Sequence, residues 1–135
     1  MAYKFEKLDV WKMALDYTDA IYDIADRLPR SEDFNLKSQM RRAGTSIGLN
    51  IAEGSTSQSD GEQTRFLGYA IRSLLETVAC LHLIKRRNFL SDATPLRDAY
   101  TESEQLFASL QAFKSAIKPN RVHEESQNYH AGNPF

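Results

Sequence analysis

Apolar residues recur at three- and four-residue steps along four stretches of the chain, and no stretch alternates apolar and polar residues in the manner of a strand. The first stretch carries two neighbouring apolar stripes. One is Leu8, Trp11, Leu15, Thr18, Tyr22 and Ala25; the other is Val10, Ala14, Tyr17, Ile21, Ile24 and Leu28. Opposite them runs a charged stripe of Lys12, Asp16, Asp19, Asp23 and Asp26. This pattern predicts a helix over residues 9–28, with Asp9 as its N-cap and Pro29 as its stop. A face two stripes wide exceeds what one partner helix covers. The helix is therefore expected to touch two neighbours of its own bundle. A second subunit that takes part of Trp11, Tyr17 or Tyr22 is the alternative.

A turn marked by Pro29, Ser31, Asp33 and Asn35 leads to a second predicted helix over residues 36–54. Met40, Ala43, Ile47 and Ile51 line its core face, with small residues Ala43, Gly44, Ser46, Gly48 and Ala52 around them. An interior glycine costs a helix roughly 1 kcal/mol against alanine, so two of them imply a neighbour packed close to the backbone. Gly54 is expected to end the helix in the left-handed conformation. The polar run 55–61 is short enough to bring the next helix back as an antiparallel neighbour. That third helix, over 60–88, presents Leu67, Ala70, Ile71, Leu74, Thr77, Val78, Leu81 and Ile84 to the core. Asn88 and Ser91-Asp92 mark the next turn. A fourth helix over 92–118 carries Leu96, Tyr100, Ser103, Phe107, Leu110, Phe113 or Lys114, and Ile117 at heptad-like steps. Pro95 falls in its first turn, where proline is tolerated. The expected fold is all-α: an antiparallel up-down-up-down four-helix bundle over residues 1–118, followed by a flexible polar tail over 119–135.

Composition narrows the setting. The chain has 135 residues, enough for one domain with a real core and too few for two. A net charge of −1 means that the molecule as a whole does not attract nucleic acid. Cys80 is the one cysteine and cannot form an internal disulfide, which fits a reducing compartment. No run of about 18 apolar residues suggests a membrane span. The first residues lack the apolar segment of a signal peptide, so a cytoplasmic protein without a membrane partner is expected.

Catalytic chemistry finds little footing. The histidines are His82, His123 and His130; no second histidine follows His123 at four residues, as a metalloprotease helix needs. Glu76 is six residues from His82, which is not the Glu-x-x-His pair of a di-iron bundle. Cys80 flanks the apolar face of the third helix and reads as a buried, inert thiol. The expectation is a non-enzymatic protein with no catalytic residues, no cofactor and no metal.

Three surface features remain. Ser46, Asn50 and Glu53 share one flank of the second helix, either satisfying nearby backbone groups or facing a partner. Residues 35–90 hold eight basic side chains, Lys37, Arg41, Arg42, Arg65, Arg72, Lys85, Arg86 and Arg87, against four acidic ones, Glu53, Asp60, Glu62 and Glu76. Repeated in a symmetric assembly, such a segment becomes a basic band able to hold RNA or DNA phosphates; a solvated surface of mixed sign is the bland alternative. Helical angles place Gly68, Leu75, Ala79 and Leu83 opposite the core of the third helix, and Leu49 opposite that of the second. Apolar residues rimmed by arginines are candidates for a subunit interface.

The second helix also carries a resemblance. Gln39-Met40-Arg41-Arg42-Ala43, Ser46-Ile47 and Asn50-Ile51-Ala52-Glu53-Gly54 resemble the signature of the 23S ribosomal RNA intervening-sequence proteins. The likeness extends to Phe5, Leu8, Val10-Trp11 and Ala14, and to Phe66-Leu67, Ala70, Ser73 and Glu76. Gly44 and Gly48 depart from the family's usual larger residues. The resemblance implies an antiparallel four-helix bundle closing into a ring, usually a pentamer, with no settled biochemical activity. A related branch, the accessory proteins of diversity-generating retroelements, works with RNA and a reverse transcriptase. From this resemblance two expectations follow: a homo-oligomeric scaffold associated with RNA, or a ring that recruits a polymerase-type protein without touching nucleic acid.

Overall fold

Leu8 is extended and opens the first helix, α1 (Asp9–Asp26), so Asp9 is its first helical residue rather than its cap. Val10, Ala14, Tyr17, Ile21 and Ile24 on α1, and Leu28 just beyond it, are all buried. The helix stops two residues before the expected end, because the residue preceding Pro29 is pushed out of helical conformation. Arg27 and Leu28 donate to the carbonyls of Ile24 and Ala25, and these bonds tighten the last turn. A single 3₁₀ turn, Arg30–Glu32, leads into α2 (Leu36–Ser55). The computed structural model describes residues 2–117 and 132–135.

Helix α2 is the thin member of the assembly. Its Gly44 lies where a Cβ would meet Ile21 Cγ2 at 3.3 Å, and its Gly48 where a Cβ would meet Trp11 Cζ3 at 3.1 Å. These glycines let α1 lie close along one side. Gly54 does the same on the other side: a Cβ there would stand 3.0 Å from Phe66 Cβ and 3.4 Å from the Gln63 carbonyl. The expectation that Gly54 stops the helix in a left-handed turn is therefore corrected. The helix runs on to Ser55, and Gly54 serves close approach.

Ser59 then caps α3 (Asp60–Arg86) by accepting the Glu62 N–H at 3.1 Å. At its far end Asn88 adopts φ 55°, and the Asn88 and Phe89 N–H groups return to the carbonyls of Lys85 and Ile84. That pairing satisfies the last carbonyls and turns the chain sharply. Asp92 next accepts both the N–H and the hydroxyl of Thr94, at 3.0 and 2.8 Å, which holds its carboxyl below the usual range. The final helix, α4 (Thr94–Ile117), consequently starts two residues later than the pattern predicts, with Asp92 outside it.

The core is built as expected on α2 and α3, on one of the two expected stripes of α1, and is shifted on the fourth helix. Leu67, Ala70, Ile71, Leu74, Thr77, Leu81 and Ile84 of α3 are buried, with Val78 half-buried. On α4 the buried residues are Leu96, Ala99, Ser103, Leu106 and Leu110, whereas Tyr100, Phe107, Phe113 and Ile117 lie at the edge. Helix α2 packs against α1 and α3, and α4 packs against the same two from the other side. The described residues thus form an all-α four-helix bundle with no strand.

Candidate functional surface

The polar cluster of α2 divides. Asn50 Nδ2 donates to the Ser46 carbonyl at 2.8 Å and to Ser46 Oγ at 2.9 Å, while Ser73 Oγ of α3 donates to Ser46 Oγ at 3.0 Å. Ser46, Asn50 and Ser73 therefore form a half-buried seam between α2 and α3. Glu53 is exposed and apart from them, on a depression of about 330 Å³ lined also by Thr56, Gln58, Glu62 and Phe66. What Glu53 gives the turn is its main-chain carbonyl, which accepts the N–H of Thr56 and the hydroxyls of Thr56 and Ser57.

The eight basic candidates divide four ways. Lys37 pairs with Asp33 at 2.6 Å, and Arg41 pairs with Asp26 at 2.5 Å while lying over the Tyr22 ring. The Arg41–Asp26 pair is open to solvent and contributes about 0–1 kcal/mol, whereas the Lys37 side chain is largely buried beside Asp33. Arg42 and Arg87 are exposed. Arg65, Arg72 and Arg86 are exposed at seven- and fourteen-residue steps on one face of α3, a span of about 30 Å at the usual helical rise. Arg65 lies over Phe66 and Arg72 over Tyr69, contacts that steady the guanidinium groups without neutralising them. Lys85 points elsewhere, toward α4, where its Nζ donates to the Pro134 carbonyl.

The same face of α3 carries the apolar candidates. Leu75 is 51% exposed and Leu83 52%, with exposed Ala79 one turn from each, so the three form a ridge between the arginines. The two sets of candidates share one surface. Gly68 sits at its α4 edge, half-buried, with Lys114 Nζ 3.7 Å from where its Cβ would be. Leu49 of α2 is 59% exposed but borders a different groove, of about 220 Å³, shared with Trp11, Leu15, Thr18 and Tyr22 of α1. Tyr17 is 1% exposed and bonded to Thr77 at 2.7 Å, which removes it from the residues open to a second subunit.

Little reactive chemistry adjoins these surfaces. Burial, with some help from Glu76, pushes the Cys80 thiol up to about 11, so at neutral pH it is a protonated apolar side chain. Among the described residues no three His, Cys, Asp or Glu side chains gather to hold a metal ion.

The family model for the 23S rRNA-intervening sequence protein matches residues 6–112, which takes in all of α1, α2 and α3 and most of α4. The chain belongs to that family. The 23S rRNA-intervening sequence fold also recurs in a solved structure, that of a Bacteroides thetaiotaomicron protein of unknown function from the S23 ribosomal protein family. The two share 24% sequence identity at a TM-score of 0.71, over 78% of this chain and 97% of that one. The comparison with curated proteins finds no match.

One contact escaped the sequence reading of this family member. The segment expected to be a polar tail lies outside the described residues over 119–131, but Asn133, Pro134 and Phe135 are seated on α3 and α4. Three residues show no periodicity, and the Asn-Pro pair was the signal available.

Proposed function

We propose that this protein is a non-catalytic homo-oligomeric scaffold that holds RNA on the outward face of α3. Its carrying observation is the line of exposed Arg65, Arg72 and Arg86 beside the ridge of Leu75, Ala79 and Leu83. Apolar area of this kind favours contact with another copy, and the arginines would then rim that contact. The bundle is read as up-down-up-down. Trp11 lies against Gly48 and Asp26 against Arg41, so contacts advance along α1 as they retreat along α2. Phe66 against Gly54, and Ser73 against Ser46, support the same sense for α2 and α3. Membership of the family supports a ring, with five copies as the working number, in the cytoplasm.

Fluorescence anisotropy with a labelled single-stranded RNA across a salt series tests the reading. Each phosphate contact lowers the slope of log affinity against log salt by about 0.7. Arg65→Ala with Arg72→Ala and Arg86→Ala should weaken binding and flatten that slope by about 2. A wild-type affinity that does not change with salt would refute the RNA role.

A second reading is favoured by the exposure of Leu75 and Leu83: a ring that recruits a protein such as a reverse transcriptase or other polymerase, with no nucleic-acid contact. Capture of that partner that survives both nuclease and high salt would select it.

A further inference from the structure

Residues 132–135 form a compact turn on the outer surface between α3 and α4. Asn133 Oδ1 accepts the Phe135 N–H at 2.9 Å, closing an Asx turn around Pro134. Asn133 Nδ2 donates to the Arg97 carbonyl at 3.1 Å and to Thr101 Oγ1 at 3.3 Å. Lys85 Nζ donates to the Pro134 carbonyl at 2.6 Å, and Arg97 Nη2 to the Phe135 main-chain oxygen at 2.8 Å. The Phe135 ring centre lies 4.8 Å from that of His82 and 5.6 Å from that of Tyr100, with Lys85 Nζ 5.2 Å from it. The receiving side chains come from short intervals on each helix: His82 and Lys85 on α3, Arg97, Tyr100 and Thr101 on α4.

Each part of the turn thus meets a matching group. The amide of Asn133 serves twice, once to shape the turn and once to dock it. Pro134 fixes φ and so lowers the entropy lost on seating. The aromatic ring fills a corner made by two other rings and a cation. A generic polar tail would satisfy none of these in combination.

We infer that the furrow formed by His82, Lys85, Arg97, Tyr100 and Thr101 is a recognition site for an Asn-Pro-Phe turn, occupied by the chain's own Asn133–Phe135. The ligand class is a short peptide with asparagine, proline and an aromatic residue in that order. This inference stands on contacts separate from the arginine line of α3 and does not rest on the RNA reading.

The test uses the full-length chain in three forms: wild type, Phe135→Ala and Asn133→Ala. In NMR spectra, loss of the Phe135 ring should shift the ring protons of His82 and Tyr100, and Asn133→Ala should shift them the same way. The synthetic peptide Ala-Gly-Asn-Pro-Phe should then bind the Phe135→Ala protein saturably and move the same signals back. A tethered ligand competes at an effective concentration on the order of millimolar, so wild type should take up the peptide at least about ten-fold more weakly. Ala-Gly-Ala-Pro-Phe, which cannot form the Asx turn, should bind at least about ten-fold more weakly than the parent peptide. His82 and Tyr100 signals identical in wild type and Phe135→Ala would overturn the inference. So would absence of peptide binding to Phe135→Ala at millimolar concentration, or equal binding of the two peptides.

Discussion

Thr77→Val should destabilise this bundle more than Tyr17→Phe, although both remove one hydroxyl from the same buried bond. The Thr77 hydroxyl has a single proton, and the Leu74 carbonyl lies 2.6 Å from its oxygen. Thr77 therefore donates to Leu74 and accepts from the Tyr17 O–H, 2.7 Å away. Tyr17→Phe leaves Thr77 with an unfilled acceptor position and an intact donor bond, a loss of about 1 kcal/mol. Thr77→Val keeps the side-chain shape but strands a phenolic donor where only 1% of the residue reaches solvent. An orphaned buried donor costs about 1–3 kcal/mol, and dehydrating the new methyl offsets part of it. Replacing both partners leaves no orphan, so the double variant should be more stable than Thr77→Val alone. Urea unfolding followed by circular dichroism, at one fixed protein concentration so that any self-association is held constant, gives the three differences. If Tyr17→Phe is the costlier change, the assigned direction of the bond is wrong; if the double variant shows the sum of the single losses, the two hydroxyls are not coupled at all.

Other expectations follow from the same contacts. Gly54→Ala should cost about 1–3 kcal/mol in urea unfolding, because its Cβ would press on Phe66 Cβ and on a main-chain carbonyl. Gly61→Ala, with nothing within 4 Å of the new atom, should be neutral or stabilising by up to about 1 kcal/mol; the reverse order would contradict the packing account. Leu75→Arg together with Leu83→Arg should lower the particle mass measured by light scattering, and an unchanged mass would exclude this ridge as a subunit contact. The Cys80 thiol is raised from 9.0 to about 11 by burial, so the unfolded chain loses that proton first. Its contribution is complete below the ordinary thiol range and is lost as the pH climbs toward about 11. Between about pH 8 and about pH 10.5, the urea midpoint of Cys80→Ala should therefore fall less than that of wild type; parallel falls would remove Cys80 as a cause.

The spacing of apolar residues was enough to place the helices and most of the core. The stripe from Val10 to Leu28 is buried throughout. The second stripe of α1 shows where that reasoning stops. Ala25 is buried, Trp11 and Thr18 are half-buried, and Leu15 and Tyr22 are exposed beside α2. Angle on a helix says which way a residue points, but not how near the next backbone lies. The glycines make the same point from the other side. Gly44 and Gly48 were read as sites of close packing, whereas Gly54 was read as a stop because nothing local announces that Phe66 will stand against it. On α4 the heptad-like reading chose Tyr100 and Phe107 and passed over Ala99 and Leu106, which lie deeper. Large aromatic residues draw the eye, but a tightly closed bundle has more room for them at its edge. Leu49, Leu75, Ala79 and Leu83 are exposed and Gly68 is half-buried, but only coordinates show that Leu75 and Leu83 divide one face with three arginines.

The seated turn at Phe135 has an electrical side. Lys85 and Arg97 are engaged with the main-chain oxygens of Pro134 and Phe135, so both lose their reach. Lifting the turn would not add a cation to that end of the molecule; it would free two long arms already present. Any anion approaching there would meet a different number of donors able to extend toward it under the two conditions.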